Sequence, residues 1–226
     1  MYSNIMLIPI LLAFGLSLWA QFRVKGTFNK YSQVPNMYGL TGHDAARRML
    51  DANGLYDIPI EPVRGALTDH YDPIHRVVRL SEPVYYESSI AAVSVACHEV
   101  GHAIQHKVSY PMLTLRHRMF PVVNFASGIA PFMLMAGFIF GYFNLVGLGI
   151  IFFSAAVAFQ LVTLPVEFNA SNRARQVMVE QGYIRNEEER GVAKVLNAAA
   201  LTYVAAALVS LLELLRLIIV FLGNRD

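Results

Sequence analysis

The chain has 226 residues, 55% of them hydrophobic and 15% charged, with a mean hydropathy of +0.44. That balance excludes an ordinary soluble domain and points to the bilayer. A net charge of +2, with no dense basic run or stacking-aromatic motif, argues against nucleic acid as a partner, and a single cysteine allows no internal disulfide.

No charged side chain occurs from Met1 to Phe22, and Arg23, Lys25 and Lys30 follow at once. Positive residues behind the apolar core rather than ahead of it predict an uncleaved anchor near residues 4–20, with its N-terminus outside, in place of a signal peptide. Residues 23–118 then read as a small α+β region. Thr41-Gly42-His43-Asp44, running into Ala45–Leu50, predicts a capped amphipathic helix closing near Asn53-Gly54. Ile58 to Val63 carries two prolines and is expected as an edge strand, while His75 to Leu80 is a stronger strand candidate. Between them His70, Tyr71, Asp72 and His75 form a polar cluster. One of these can donate to an oxyanion and another can orient a histidine, and the plain alternative is a set of turn polars around Pro73.

The next element carries chemistry. Ser88 or Ser89 can cap a helix reaching about Lys107, and within it stands His98-Glu99-Val100-Gly101-His102. Residues four apart share a helix face, so His98 and His102 can offer nitrogens to one zinc ion about 2.0–2.1 Å away. Glu99 is placed to act on water rather than on the metal. Gly101 costs roughly 1 kcal/mol against Ala inside a helix and marks close approach of another backbone. His106 lies roughly 12 Å along the axis from His98, out of reach of a shared ion, and Cys97 reads as a small buried residue.

From Met119 to Val166 there is no charged residue, a run of 48. One helix of that length would be roughly 72 Å against a hydrocarbon core of about 30 Å, so the run folds back, with Gly141-Tyr142-Phe143-Asn144 as the turn between spans near 122–141 and 146–165. Gly137 and Gly141 are expected at a helix-packing contact. Glu167 follows directly and opens a segment in which Val166, Ala170, Ala174, Val177 and Met178 recur at helical spacing. A carboxylate on that apolar face needs a cation, and zinc on two neutral histidines is one, so Glu167 is the expected third ligand; the bland alternative is a glutamate favoured by a helix start. A last span begins near Leu196, after Asn186-Glu187-Glu188-Glu189 with capping-box spacing. Glu213 and Arg216 in its far half can pair at i,i+3.

HEVGHAIQH, the upstream DHYDP and RLSEPVYY, and the downstream LPVEFNASNRA together resemble the neutral zinc metallopeptidases of the bacterial YugP type, over nearly the whole chain. The resemblance implies a gluzincin-like, zinc-dependent endopeptidase of the bacterial cell membrane, with His98 and His102 as ligands, Glu99 as the catalytic carboxylate and one catalytic zinc ion. Its implied partners are a peptide or membrane-protein substrate and the lipid bilayer. A more distant similarity, to integral-membrane zinc proteases of the prenyl-protein and heat-shock types, places an Asp four residues after the ligand Glu. This chain has Ser171 there, with Asn169 and Asn172 as alternative partners for a ligand histidine, and Arg173 within reach of the site.

The expected architecture is mainly α: a polytopic membrane protein of about four transmembrane helices, with a zincin-like HExxH helix and a small α+β insertion. Its segments are 1–22 (anchor), 23–118 (α+β region), 119–166 (hairpin), 167–195 (third-ligand helix) and 196–226 (last span). Eleven of the 18 Lys and Arg lie in 21–118 and 5 in 166–198, which predicts that both connecting regions, and the site they share, face the cytoplasm. An exposed strand edge near the metal would hold an extended peptide by backbone hydrogen bonds. Two alternatives stand beside this reading. A membrane scaffold or chaperone with a structural zinc would show a closed four-ligand shell. A site-two intramembrane protease is disfavoured because Glu82 and Glu87 closely precede the zinc helix and the chain has no Asp-Gly pair.

Overall fold

The computed structural model describes residues 7–223, so residues 4–6 of the first expected span lie outside the described residues. In chain order the elements are α1 (Leu7–Ser32), α2 (Gly42–Ala52), β1 (Ile60–Val63), β2 (His70–Asp72), β3 (Val77–Ser81), α3 (Glu82–Tyr86), α4 (Ile90–Lys107), α5 (Pro111–Phe140), α6 (Phe143–Glu180) and α7 (Asn186–Gly223). α1, α5, α6 and α7 are long and apolar enough to cross a membrane, and the architecture is that of a polytopic helical membrane protein with a small sheet.

The long helices outrun the apolar windows that mark them. α1 continues past Arg23, Lys25 and Lys30, α6 continues to Glu180, and α7 starts ten residues before Leu196. Hydropathy marks only the stretches that suit lipid. The continuations are amphipathic, and Phe28, Ala174, Met178, Val192 and Leu196 enter a protein core instead.

The chain divides into two compact units. One draws on the described residues through Gln21, on Pro111–Pro165 and on residues from Leu201 onward. In it the α5–α6 turn falls where expected. Gly141 takes the left-handed conformation at φ +71°, and the amides of Leu145 and Val146 donate to the Tyr142 carbonyl. Gly137 is a packing glycine, since a Cβ there would meet Val146 Cγ2 at 2.5 Å. Gly141 serves the turn rather than the packing. Val146, Ile150 and Leu217 form this unit's small buried cluster, and Glu213 pairs with Arg216 at 2.5 Å.

The other unit comprises Phe22–Tyr110 and Val166–Ala200. Thr41 and Asp44 cap α2 reciprocally, as their spacing predicts, and Gly54 closes the segment at φ +64°. Ser89 caps α4 by accepting from the Ala92 amide. At α7 the capping interaction is shifted by one residue. Glu188 Oε2 accepts from the Arg185 amide at 2.8 Å, which leaves Glu189 to pair with Arg175 at 2.7 Å.

The sheet order is β1-β3-β2, with β1 parallel and β2 antiparallel to the central β3. β1 is the expected edge strand, but it begins at Ile60 rather than Ile58, so that of the two prolines only Pro62 lies within it. β3 begins at Val77 rather than His75, because Asp72 Oδ1 accepts the amides of Ile74 and His75 and holds them in a turn, with Arg76 left-handed at φ +53°. β2, only three residues long, lies in the segment read as turn polars. The core packs α2, α4 and this sheet with the ends of α1, α6 and α7 through Met49, Leu50, Val78, Leu80, Val93, Val100 and Met178.

Candidate metal centre

α4 and α6 meet at Gly101. A Cβ on this residue would stand 2.6 Å from the Ala170 carbonyl oxygen and 3.2 Å from Ala170 Cα, so only glycine permits the approach. On α6 the facing side chains are small or tightly packed, with Val166, Ala170 and Ala174 at 0% exposure. Glu167 therefore projects from a sealed apolar surface toward α4, itself 3% exposed.

Three donor atoms converge there. Glu167 Oε2 lies 3.3 Å from His98 Nε2 and 3.5 Å from His102 Nε2. One ligand atom from each residue falls within 4.8 Å of the others. Tetrahedral donors about 2.0–2.1 Å from a zinc ion stand roughly 3.3–3.4 Å from one another, so the two measured separations suit such an ion.

The other imidazole nitrogens face protein. His102 Nδ1 lies 3.0 Å from Gln105 Oε1. The orientation of that amide follows from its remaining contacts, because Gln105 Nε2 donates to the Val166 carbonyl at 2.8 Å and to Asn169 Oδ1 at 3.0 Å. Reversing the amide would set two carbonyl oxygens against each other. Gln105 Oε1 thus accepts from His102 Nδ1–H, which leaves a lone pair on Nε2 aimed at the Glu167 carboxylate. A lone pair and a carboxylate facing each other in a buried space suit a cation between them. His98 Nδ1 lies 3.1 Å from Ser171 Oγ, which can accept a hydrogen bond from Nδ1–H in the same way. Arg173 Nε donates to Asn169 Oδ1 at 2.7 Å and so extends the chain His102–Gln105–Asn169.

Glu99 is buried beside this cluster, with Oε2 accepting the Tyr71 backbone amide at 3.0 Å. Burial pushes its carboxyl up to about 7; Glu167 and Asp69 add to the rise, while His98 and the Tyr71 amide oppose it. Tyr71 is held by its strand, whose entry is tied down where Asp69 Oδ1 accepts the Ser81 amide at 2.7 Å. The Tyr71 hydroxyl meets His106 Nδ1 at 2.8 Å.

The sequence candidates thus separate. His98, His102, Glu167, Glu99, Ser171, Asn169 and Arg173 form one connected cluster, and Tyr71 joins it through its backbone. His70 lies apart, its Nδ1 2.8 Å from the Thr68 carbonyl, and exposed His75 is 2.7 Å from Asp72 Oδ2. Cys97 is buried, and burial pushes its thiol up to about 12. Gln105 escaped the sequence reading, although its position three residues after His102 places it on that histidine's own helix face. The Tyr71 amide escaped it too, since a three-residue strand has no readable alternation.

A family model described as "Putative neutral zinc metallopeptidase" matches residues 5–222. A curated relative, "Putative membrane protease YugP" of Bacillus subtilis (strain 168), is 68% identical over 214 residues, which cover 95% of each chain. No solved structure matches. With the match extending over nearly its whole length and taking in both helices that carry the donor cluster, the chain belongs to the neutral zinc metallopeptidase family.

Proposed function

We propose that this chain is a zinc-dependent endopeptidase of the bacterial cell membrane, with His98, His102 and Glu167 holding the ion and the site facing the cytoplasm. The observation that carries the reading is the convergence of Glu167 Oε2 on both histidine Nε2 atoms at 3.3 and 3.5 Å. Among the described residues the cluster numbers three, the ligand count of a catalytic zinc with a position left for water or substrate rather than of a closed structural site. Zinc, when bound, supplies a Lewis acid that polarises a peptide carbonyl and acidifies water.

The chain's own groups do the rest. Gln105 Oε1 and Ser171 Oγ accept hydrogen bonds from the Nδ1–H groups of the ligand histidines and orient both rings with Nε2 inward. Glu99, held by the Tyr71 amide, takes the proton of the attacking water and passes it to the leaving nitrogen. The cytoplasmic orientation rests on the concentration of Lys and Arg in the segments on either side of the long apolar run.

Glu99→Gln preserves shape and removes the base. The purified variant should retain its zinc while hydrolysis of a verified peptide substrate falls by at least about 10²-fold, the lower end of general-base effects. Undiminished hydrolysis would exclude Glu99 from this role.

A further inference from the structure

The face of α4 that carries Glu99 continues as Ala103, His106 and Lys107, four, seven and eight residues on. Beyond Glu99 this face opens on a cavity of about 300 Å³, which those three residues line with Leu55, Ile58, Tyr71 and Arg76. Tyr71 belongs to both places. Its backbone amide holds Glu99 Oε2 at 3.0 Å, and its hydroxyl meets His106 at the cavity wall at 2.8 Å.

The lining has two characters. Leu55, Ile58 and Ala103 are buried and form an apolar floor. Arg76 and Lys107, both cationic, line the same space. Lys107 Nζ is anchored on the Asn53 carbonyl, a neutral acceptor. Arg76 is set in place by the Asp72 turn at φ +53°, a conformation that a residue with a side chain adopts only under constraint from its surroundings. Its guanidinium is 2.9 Å from Asp57, in a pair whose side chains are 54% and 62% exposed. So open a pair is weakly held, and a carboxylate arriving from the cavity side can share or replace Asp57. Guanidinium presents a planar fork that suits such a carboxylate.

Resting on the peptidase reading above, we infer that this cavity is a substrate subsite that selects an acidic side chain. The apolar stem of a substrate glutamate lies over Leu55, Ile58 and Ala103, and its carboxylate lies between Arg76 and Lys107. Ala103 and His106 stand roughly 6 and 10 Å along the helix axis from Glu99. An extended peptide advances about 3.3 Å per residue, so the selected side chain is roughly two or three residues from the scissile bond.

The test separates binding from cleavage. Full-length Glu99→Gln protein, zinc-loaded in detergent, is exposed to a synthetic peptide pool degenerate at six positions, and the captured peptides are sequenced. Glu should be enriched at least about tenfold over Gln at one position. Adding Arg76→Gln should abolish the enrichment without loss of zinc, Arg76→Lys should preserve part of it, and Arg76→Glu should shift it toward Lys and Arg. Equal capture of Glu and Gln peptides, no capture at all, or a preference indifferent to Arg76→Gln overturns the subsite. Acidic peptides captured as expected but left intact by the zinc-loaded wild type would uphold the subsite and overturn the peptidase.

Discussion

A histidine that binds a metal through one nitrogen offers the N–H of the other to an acceptor, and the two proposed ligands face different partners. His102 faces the amide of Gln105, whose own donors are committed to the Val166 carbonyl and Asn169, whereas His98 faces the hydroxyl of Ser171, which can turn. The His102 arrangement is the more rigid, and it ties ligand orientation on α4 to the α6 backbone that also carries Glu167. A graded series of variants follows. Glu167→Ala removes a charge and a coordination bond and should lose zinc almost entirely on dialysis. Gln105→Met keeps the volume but leaves the His102 imidazole unoriented and should weaken zinc about 10–100-fold, the usual effect of a lost partner to a ligand. His106→Ala should hold zinc like wild type, because that residue's Nδ1 is engaged with Tyr71 and it stands two helical turns from His98. Metal analysis against a competing chelator ranks them; zinc held in Glu167→Ala and lost in His106→Ala would reverse the ligand assignment. The histidines and Glu99 were legible in the sequence because one helix fixes their spacing. Glu167 was legible more faintly, as a charge closing a long uncharged run. Gln105 was not, since a glutamine announces nothing until the carbonyl that orients it arrives from 61 residues away.

At the level of elements, the site exists because α4 and α6 approach more closely than side chains ordinarily allow. Gly101→Ala would drive a methyl into the Ala170 carbonyl, at 2.6 Å against backbone that cannot swing aside. Separating the helices should cost about 1–3 kcal/mol, as overpacked cores do, and should lower zinc affinity as well as the melting temperature. A Gly101→Ala protein with wild-type zinc affinity would show that the approach is dispensable. The sheet has its own fixed point in Asp72. Its bonds to His75 come first, and Arg79 at 2.8 Å adds to them, holding its carboxyl well below the ordinary value of 3.8. A depressed carboxyl stabilises the fold above its unfolded pKa, and that stability is lost as the pH falls through the lower folded value. Asp72→Asn should therefore speed amide exchange in the β2–β3 turn at pH 7, with the difference from wild type shrinking only below about pH 4. A difference already gone at pH 5 would assign the turn's stability elsewhere. α2, α4 and the α5–α6 turn were readable from caps and glycines, which act within four residues. β2 and the start of β3 were not, because their boundaries depend on the Asp72 turn and on pairing between strands.

For the whole molecule, the governing asymmetry is that charge is absent from 119–166 and concentrated on either side of it. The positive-inside bias favours the orientation that keeps basic segments on the cytoplasmic side. Glu167 lies two residues past Pro165 in the same continuous helix, and the donor cluster is assembled within the unit formed by Phe22–Tyr110 and Val166–Ala200. That unit contains most of the basic residues. If the bias sets orientation, single cysteines at Lys30 and Arg185 should resist a membrane-impermeant thiol reagent in intact cells and react only after the membrane is opened. A cysteine at Asn144, beside the tight turn between α5 and α6, should react from outside. The native Cys97 is buried, so it should contribute little background before denaturation. External labelling at Arg185 with protection at Asn144 would invert the topology and put the zinc site outside the cell. Labelling of both from one side would break the hairpin on which the four-span architecture depends.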